Sequence, residues 1–175
     1  KKGHEAELKK LVEDTNSAVY KKSLESPEAS GMGTTLTMAL ISGSAMTVAH
    51  VGDSRLYMVR GGKMKQLTED HSYIEELVKK GSLTRKEAEN HPRKNIITRA
   101  IGCMPELEVD ILSLSTEKDD IFILCTDGLT NMLSEDAIYE TVKDNNPDRS
   151  CSLLVKAAKE QGGEDNITVI VIKCE

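Results

Sequence analysis

The chain has 175 residues, which is enough for one ordinary domain and too few for two. Apolar residues make up 38% and charged residues 30%, a composition that is typical of globular proteins and excludes a disordered chain. The net charge is 23 − 29 = −6 and only 3% of the residues are aromatic, so nucleic acid is excluded as a partner.

The lengths of the apolar runs and the spacing of the cysteines restrict the class of protein and its location further. The longest apolar runs are about six residues, too short to cross a bilayer, and no signal-peptide pattern is visible. The four cysteines form no CxxC pair, which argues against a zinc knuckle and favours a reduced, cytoplasmic location. Because the chain starts at Lys1 rather than at a methionine, we expect it to be part of a longer protein.

The first half of the sequence predicts one helix followed by short strands. Apolar periodicity predicts a helix over about 5–22, whose buried face would carry Leu8, Leu11, Val12, Thr15 and Val19. A linker over 23–33 precedes strands at 34–41, 45–51, 54–60 and 63–67, which are separated by short turns that contain glycine. This spacing predicts a meander of four antiparallel strands.

The second half alternates helices and strands. Helices are predicted at 72–80, ended by Gly81, and after Thr84, where Glu87 completes a capping box. A strand at 107–114 and a fully buried strand at 120–126 follow. Helices at 134–143 and 147–161 and a last strand at 166–173 complete an α+β layered sandwich.

Three aspartates lie beside glycines at the ends of apolar strands: Asp53, Asp127 and Asp165. Mg²⁺ and Mn²⁺ prefer oxygen ligands, and carboxylates at strand ends can be held at fixed separations. Each aspartate also has an ordinary explanation, because Gly-Asp and Asp-Gly are common in turns and at helix starts. From residue types and spacing alone, both interpretations stay open.

Six segments in a fixed order carry a family resemblance. They are 32–35 (MGTT), 51–55 (VGDSR), 67–72 (LTEDHS), 90–102 (NHPRKNIITRAIG), 125–129 (CTDGL) and 163–168 (GEDNIT). Together they resemble the type 2C family of metal-dependent serine/threonine protein phosphatases, and the similarity is greatest to its bacterial branch. The resemblance implies a four-layer αββα sandwich of two mainly antiparallel sheets, built by 1–175 as a single catalytic domain.

The resemblance also implies a reaction and its site. Phosphoserine and phosphothreonine in proteins would be hydrolysed by a metal-activated water, with two and possibly three Mn²⁺ or Mg²⁺ ions. Asp127 and Asp165 match ligands of one ion of the binuclear pair, and Asp53 matches a third, weaker site that also uses Asp127. A flap over about 68–92 would shape access for phosphoproteins, the products of a serine/threonine kinase.

Two family segments have no match among these residues. One is RxxNED-like and the other DGMGGH-like; the pair Gly3-His4 does not replace the second. We therefore expect the missing N-terminal strands to leave sheet edges exposed for self-association, and the 175 residues alone to be nearly inactive. No catalytic side chain is assigned.

Two alternatives to a general phosphatase remain open at this stage. One is a non-catalytic pseudophosphatase or regulatory domain that binds a partner, and the other is a phosphatase that acts on regulators of sigma factors. Retention of the three aspartates argues against the pseudophosphatase.

Structural rather than catalytic roles are predicted for other polar residues in or beside these motifs. His71 would fix the start of the flap, Arg99 would pair with a nearby acid, and His50 would be a satisfied strand residue.

Overall fold

The computed structural model describes residues 4–89 and 91–175. Its strands are, in chain order, β1 (Leu36–Ser42), β2 (Ala45–Val51), β3 (Arg55–Arg60), β4 (Lys63–Gln66), β5 (Asp110–Ser115), β6 (Ile121–Cys125) and β7 (Val169–Lys173). Its helices are α1 (His4–Glu25), a 3₁₀ turn (Pro27–Ala29), α2 (Tyr73–Lys79), α3 (Arg85–Glu89), α4 (Asp127–Thr130), α5 (Glu135–Lys143) and α6 (Pro147–Glu160).

The strands form two sheets, with orders β1-β2-β5 and β4-β3-β6-β7. The paired strands β1–β2, β3–β4, β3–β6 and β6–β7 are antiparallel, and helices flank the sheets. The predicted α+β class with two mainly antiparallel sheets is confirmed. The chain divides into two compact units: one runs to Asp53 and resumes over Asp70–Leu114, and the other comprises Ser54–Glu69 and Ser115–Glu175. That 1–175 act as a single catalytic domain stays a prediction.

The predicted four-stranded meander is wrong. β1 and β2 form a hairpin in one sheet, whereas β3 and β4 form a hairpin in the other. Gly52 and Asp53 are therefore the connection between two sheets rather than a hairpin turn. The sequence pattern alone could not distinguish the two, because both need a short polar turn with glycine between apolar strands.

In the first unit, α1 packs on one face of the β1-β2-β5 sheet. Leu8 and Val12 of α1 cluster with Ala49 and Val51, which alternate along β2 and so share a face. The predicted inner face of α1 was partly wrong, as Leu11 is 54% exposed. Asn16 is buried instead, because its amide accepts a hydrogen bond from the Gly102 N–H at 2.8 Å.

In the second unit, β6 lies in the middle of its sheet and every residue of it is buried, as predicted. Ile121, Ile123 and Cys125 form a core with Ile138 of α5 and Leu154 of α6. The neighbouring strand β7 begins three residues later than the predicted start at 166, so Asn166 and Thr168 remain in the loop beside Asp165.

Side-chain caps define the helix starts that the sequence predicted. Ser72 and Ser134 accept hydrogen bonds from Glu75 N and Ala137 N, respectively, and Thr84 and Glu87 form the predicted capping box. Among the described residues, no helix has the length and apolar character that a membrane crossing requires.

Candidate functional site

A corner where β6 ends and β7 approaches holds two of the predicted ligands. Thr126 follows β6, and its N–H donates to Thr168 O at 3.1 Å. Its hydroxyl donates to Asn166 O at 3.1 Å and accepts from Thr168 N–H at 3.0 Å. Thr126 therefore fastens the segment that carries Asp127 to the loop that carries Asp165.

Gly128 brings these two segments into contact. A Cβ at this position would lie 2.3 Å from Asn166 O and 3.5 Å from the carbonyl carbon of Asp165. Because no side chain fits in that space, the backbones of 127–128 and 165–166 can approach only with glycine here. The structure thus brings the chain positions of Asp127 and Asp165 together in the second unit.

Each of these two carboxylates uses one oxygen within the protein. Asn131 donates to Asp127 Oδ2 at 3.3 Å, and the Asn166 N–H donates to Asp165 Oδ1 at 2.6 Å. No donor within 4–89 and 91–175 hydrogen-bonds to Asp127 Oδ1 or Asp165 Oδ2. Asp127 is half-buried and Asp165 is exposed, so both can meet a ligand from solvent.

The third predicted ligand, Asp53, follows a turn in the first unit that requires glycine at position 52. Gly52 has a φ of 112°, in the region that favours glycine. A Cβ at this position would also lie 2.3 Å from Thr35 Cγ2, so both backbone conformation and space require glycine. Asp53 itself is half-buried.

His71 forms hydrogen bonds with both backbone polar groups of Gly52. The Gly52 N–H donates to His71 Nδ1 at 3.0 Å, and the His71 N–H donates to Gly52 O at 2.7 Å. The ring of His71 lies 4.8 Å from that of His50, and both side chains are buried. His50 contacts the Thr37 hydroxyl through Nδ1 at 2.9 Å, in keeping with a satisfied strand residue.

Asp110 and Arg99 lie on the other side of the His71 ring, at Nε2. Asp110 Oδ2 lies 3.2 Å from His71 Nε2, and Arg99 Nη1 donates to Asp110 Oδ1 at 2.7 Å. Burial alone would raise the pKa of Asp110, but the hydrogen bonds and charges of His71 and Arg99 hold that pKa below its ordinary value. Arg99 also pairs with Glu108 at 3.0 Å, so its predicted role as an ion-pair partner is confirmed.

The predicted flap contains α2 and α3. An Arg85–Glu75 ion pair links the two helices, and the capping box of Thr84 and Glu87 starts the second. The ends of the segment are joined at its base, where the Tyr73 N–H donates to Ile96 O at 2.9 Å. Position 90, which belongs to one of the family-like segments, lies outside the described residues.

Within the described parts of the chain, no three His, Cys, Asp or Glu side chains form a group that could hold a metal ion. The structure places Asp127 and Asp165 in one unit and Asp53 in the other. The assignment of all three as metal ligands stays a prediction.

Sequence reasoning missed Asp110. This residue was assigned to the middle of a strand predicted to start at 107, whereas it is the first residue of β5. A signal was present, since Asp110 is an acidic residue that follows the alternating Leu107 and Val109, but its partner His71 lies 39 positions earlier. No local pattern connects the two.

The sequence profile described as Protein phosphatase 2C matches residues 1–154. The chain belongs to the protein phosphatase 2C family. It is 38% identical over 167 residues to the serine/threonine phosphatase Stp of Listeria monocytogenes, covering 95% of this chain and 66% of that protein. The predicted family is therefore confirmed.

Solved structures of family members have the same fold. The serine/threonine phosphatase of S. agalactiae is 40% identical with a TM-score of 0.90, covering 96% of this chain and 69% of that one. The catalytic domain of PstP, in complex with two manganese ions, is 34% identical with a TM-score of 0.87, covering 95% and 70%. This protein phosphatase 2C chain thus spans 66% of the length of the Listeria relative and about 70% of these structures.

Proposed function

We propose that the protein containing this chain hydrolyses phosphoserine and phosphothreonine in proteins and depends on divalent metal ions. The observation that carries the proposal is the close approach of 127–128 to 165–166 at Gly128, in a chain that belongs to the protein phosphatase 2C family. Each of the two aspartates there keeps a carboxylate oxygen that no described donor reaches and that solvent can reach, so both oxygens are available to an ion.

The donor set at this corner fits a hard divalent cation. Asp127 and Asp165 offer carboxylate oxygens, and no sulfur or imidazole ligand is needed. Manganese is the ion named in the PstP structure, and we propose Mn²⁺ or Mg²⁺ here, with Asp53 serving a further, weaker ion. When bound, such ions supply positive charge for phosphate oxygens and lower the pKa of water.

The protein's own residues prepare this corner. The three hydrogen bonds of Thr126 join the segments after β6 and before β7, so the backbone that carries the two aspartates is held together before an ion arrives. The flap that contains α2 and α3 would shape access for a folded phosphoprotein. Protein substrates, the kinase that supplies them and the cytoplasmic location remain predictions.

Phosphatase assays on the longest natural chain that contains these residues test the proposal. With Mn²⁺ and a phosphothreonine peptide, the wild type should release phosphate. Asp127→Asn and Asp165→Asn should each lower kcat/KM by at least about 100-fold, since each removes a charged ligand. Asp148→Asn changes an exposed aspartate on α6 of the same unit and should change kcat/KM by less than about twofold.

The result also decides between the phosphatase and the non-catalytic alternative. If the natural chain binds Mn²⁺ through Asp127 yet releases no phosphate from any phosphopeptide, the protein is a pseudophosphatase. If both aspartate variants keep full activity, the metal assignment is wrong.

A further inference from the structure

A chain of polar contacts runs from Arg99 through Asp110 and His71 to the backbone of Gly52, the residue before Asp53. We propose that His71, oriented by Asp110, is the positioning residue that fixes the direction of the Asp53 carboxylate. This inference rests on the proposed function, in which Asp53 serves a metal ion.

His71 holds the Gly52 peptide groups from both sides. The ring nitrogen accepts from Gly52 N–H at 3.0 Å, and the backbone N–H donates to Gly52 O at 2.7 Å. Gly52 N–H is buried, and the turn is confined by Thr35, so neither group can turn to water without moving the chain. Because Gly52 O belongs to the peptide that enters Asp53, its hydrogen bond sets how that residue leaves the turn.

The hydrogen-bond pattern assigns the tautomer of His71. Nδ1 accepts from the Gly52 N–H and therefore carries no hydrogen, so the neutral ring carries its hydrogen on Nε2. That N–H donates to Asp110 Oδ2. Arg99 Nη1 lies 3.0 Å from Nε2, but both atoms are donors, and the guanidinium directs its hydrogen to Asp110 Oδ1. Asp110 thus selects the tautomer that can hold Gly52.

His71 also joins the turn at Gly52 to the base of the flap. The His71 carbonyl accepts from Thr98 N–H at 2.8 Å, where the flap segment returns. The next residue, Ser72, caps α2 at the start of the flap and pairs with Ile97 across its base. Movement at the base of the flap would therefore reach Asp53 through one peptide group, which extends the predicted role of His71 beyond fixing the flap's start.

Nuclear magnetic resonance on the 175-residue chain tests the geometry without any activity. We expect long-range proton–nitrogen spectra at neutral pH to show His71 protonated on Nε2 only. His71→Leu should raise hydrogen exchange of the Gly52 amide at least tenfold, whereas His71→Asn, whose Oδ1 can replace Nδ1 as acceptor, should restore most of the protection. Protonation on Nδ1, or unchanged Gly52 exchange in His71→Leu, would overturn the proposal.

A metal titration of activity on the longest natural chain tests the consequence. His71→Leu should raise the Mn²⁺ concentration for half-maximal activity at least fivefold with KM for the phosphopeptide unchanged, and His71→Asn should reverse most of this. Asp110→Asn keeps an acceptor for Nε2–H and should give a smaller shift; it replaces His71→Leu if that variant fails to fold. If neither His71→Leu nor Asp110→Asn alters the Mn²⁺ requirement, His71 does not position Asp53. If the wild type itself shows no phosphatase activity, only the proposed function is refuted. In that case the Gly52 amide exchange and the His71 spectra still test the geometry.

Discussion

At the scale of single residues, Gly128 decides how closely the two aspartate segments approach. Gly128→Ala would place a methyl group 2.3 Å from Asn166 O and 3.0 Å from Asn166 C, which are backbone atoms that cannot rotate away. We expect the 165–166 loop to shift, the free energy of unfolding to fall by about 1–3 kcal/mol, and Mn²⁺ affinity to fall with it. Urea denaturation and calorimetric Mn²⁺ titration measure the two effects.

A glycine in open space provides the control for this change. Gly43, in the β1–β2 hairpin, has nothing within 4 Å of an added Cβ, and its φ of 61° is one that asparagine tolerates. Gly43→Asn should therefore cost about 1 kcal/mol or less and leave Mn²⁺ affinity unchanged. Equal Mn²⁺ affinity in Gly128→Ala and the wild type would mean that the close approach is irrelevant to the site.

Asp120 is a buried carboxylate that the predicted site does not use. It accepts from Arg60 Nε at 2.8 Å and from Glu117 N–H at 2.7 Å. The hydrogen bond from Arg60 is the main reason that the pKa of Asp120 lies below its ordinary value, although burial opposes this. We expect Asp120→Asn to lower the free energy of unfolding by about 1.5–3 kcal/mol at pH 7.

The pH dependence of that difference follows from the direction of the shift. Because the folded-state pKa is lowered, the stabilisation by Asp120 is complete above its unfolded-state pKa of about 3.9 and is lost as the pH falls through the folded-state value. Urea curves for the wild type and Asp120→Asn should thus differ most above about pH 5 and converge in more acidic solution. A constant difference from pH 7 down to the lowest pH at which both fold would exclude the ionised Asp120 as its source.

At the scale of elements, β7 is an edge strand that exposes an apolar side chain to solvent. It pairs only with β6 among the described strands, and Ile170 is 52% exposed. Unpaired edges of this kind bind other strands, which supports the predicted self-association. Ile170→Lys should lower the dimer fraction of the 175-residue chain in sedimentation experiments, because an edge lysine opposes strand pairing. Leu24→Lys, on the exposed end of α1, is the control and should not; a wild type that is monomeric at high concentration would refute the prediction.

Elements with local signals could be predicted from the sequence. Ser72, Ser134 and the Thr84–Glu87 pair sit beside the residues that they cap, so helix starts were visible in short stretches. The turn at Gly52 could not be predicted correctly, because whether a chain returns to its own sheet or enters another depends on contacts such as Thr35. Asp110 was missed for the same reason, since its role exists only once His71 and Arg99 meet it.

The candidate site likewise has a part that the sequence could predict and a part that depends on contacts between distant residues. Asp53, Asp127 and Asp165 were assigned as metal ligands through a family resemblance, whereas their pattern alone left ordinary turns open as the explanation. The hydrogen bonds of Thr126 and the missing Cβ of Gly128, which bring two of them together, depend on partners about 40 positions away. Only the folded chain shows these contacts.

At the scale of the whole molecule, the carboxylates available to an ion limit what 175 residues can do. The chain spans 66% of its Listeria relative, and the described residues hold no group of three or more candidate ligands. A divalent ion held by two carboxylates keeps most of its waters and binds weakly. We therefore expect the 175-residue chain to hydrolyse p-nitrophenyl phosphate in Mn²⁺ no faster than its own Asp127→Asn variant.

The longest natural chain that contains these residues is the positive control for this assay. Under the same conditions that chain should turn over the substrate and lose turnover in Asp127→Asn, because ligands from further residues would complete the coordination of the ions. Calorimetry should show tighter Mn²⁺ binding to the longer chain, with Asp127→Asn weakening binding in both. Robust turnover by the 175 residues, abolished by Asp127→Ala, would instead show that two or three carboxylates suffice to organise the reaction.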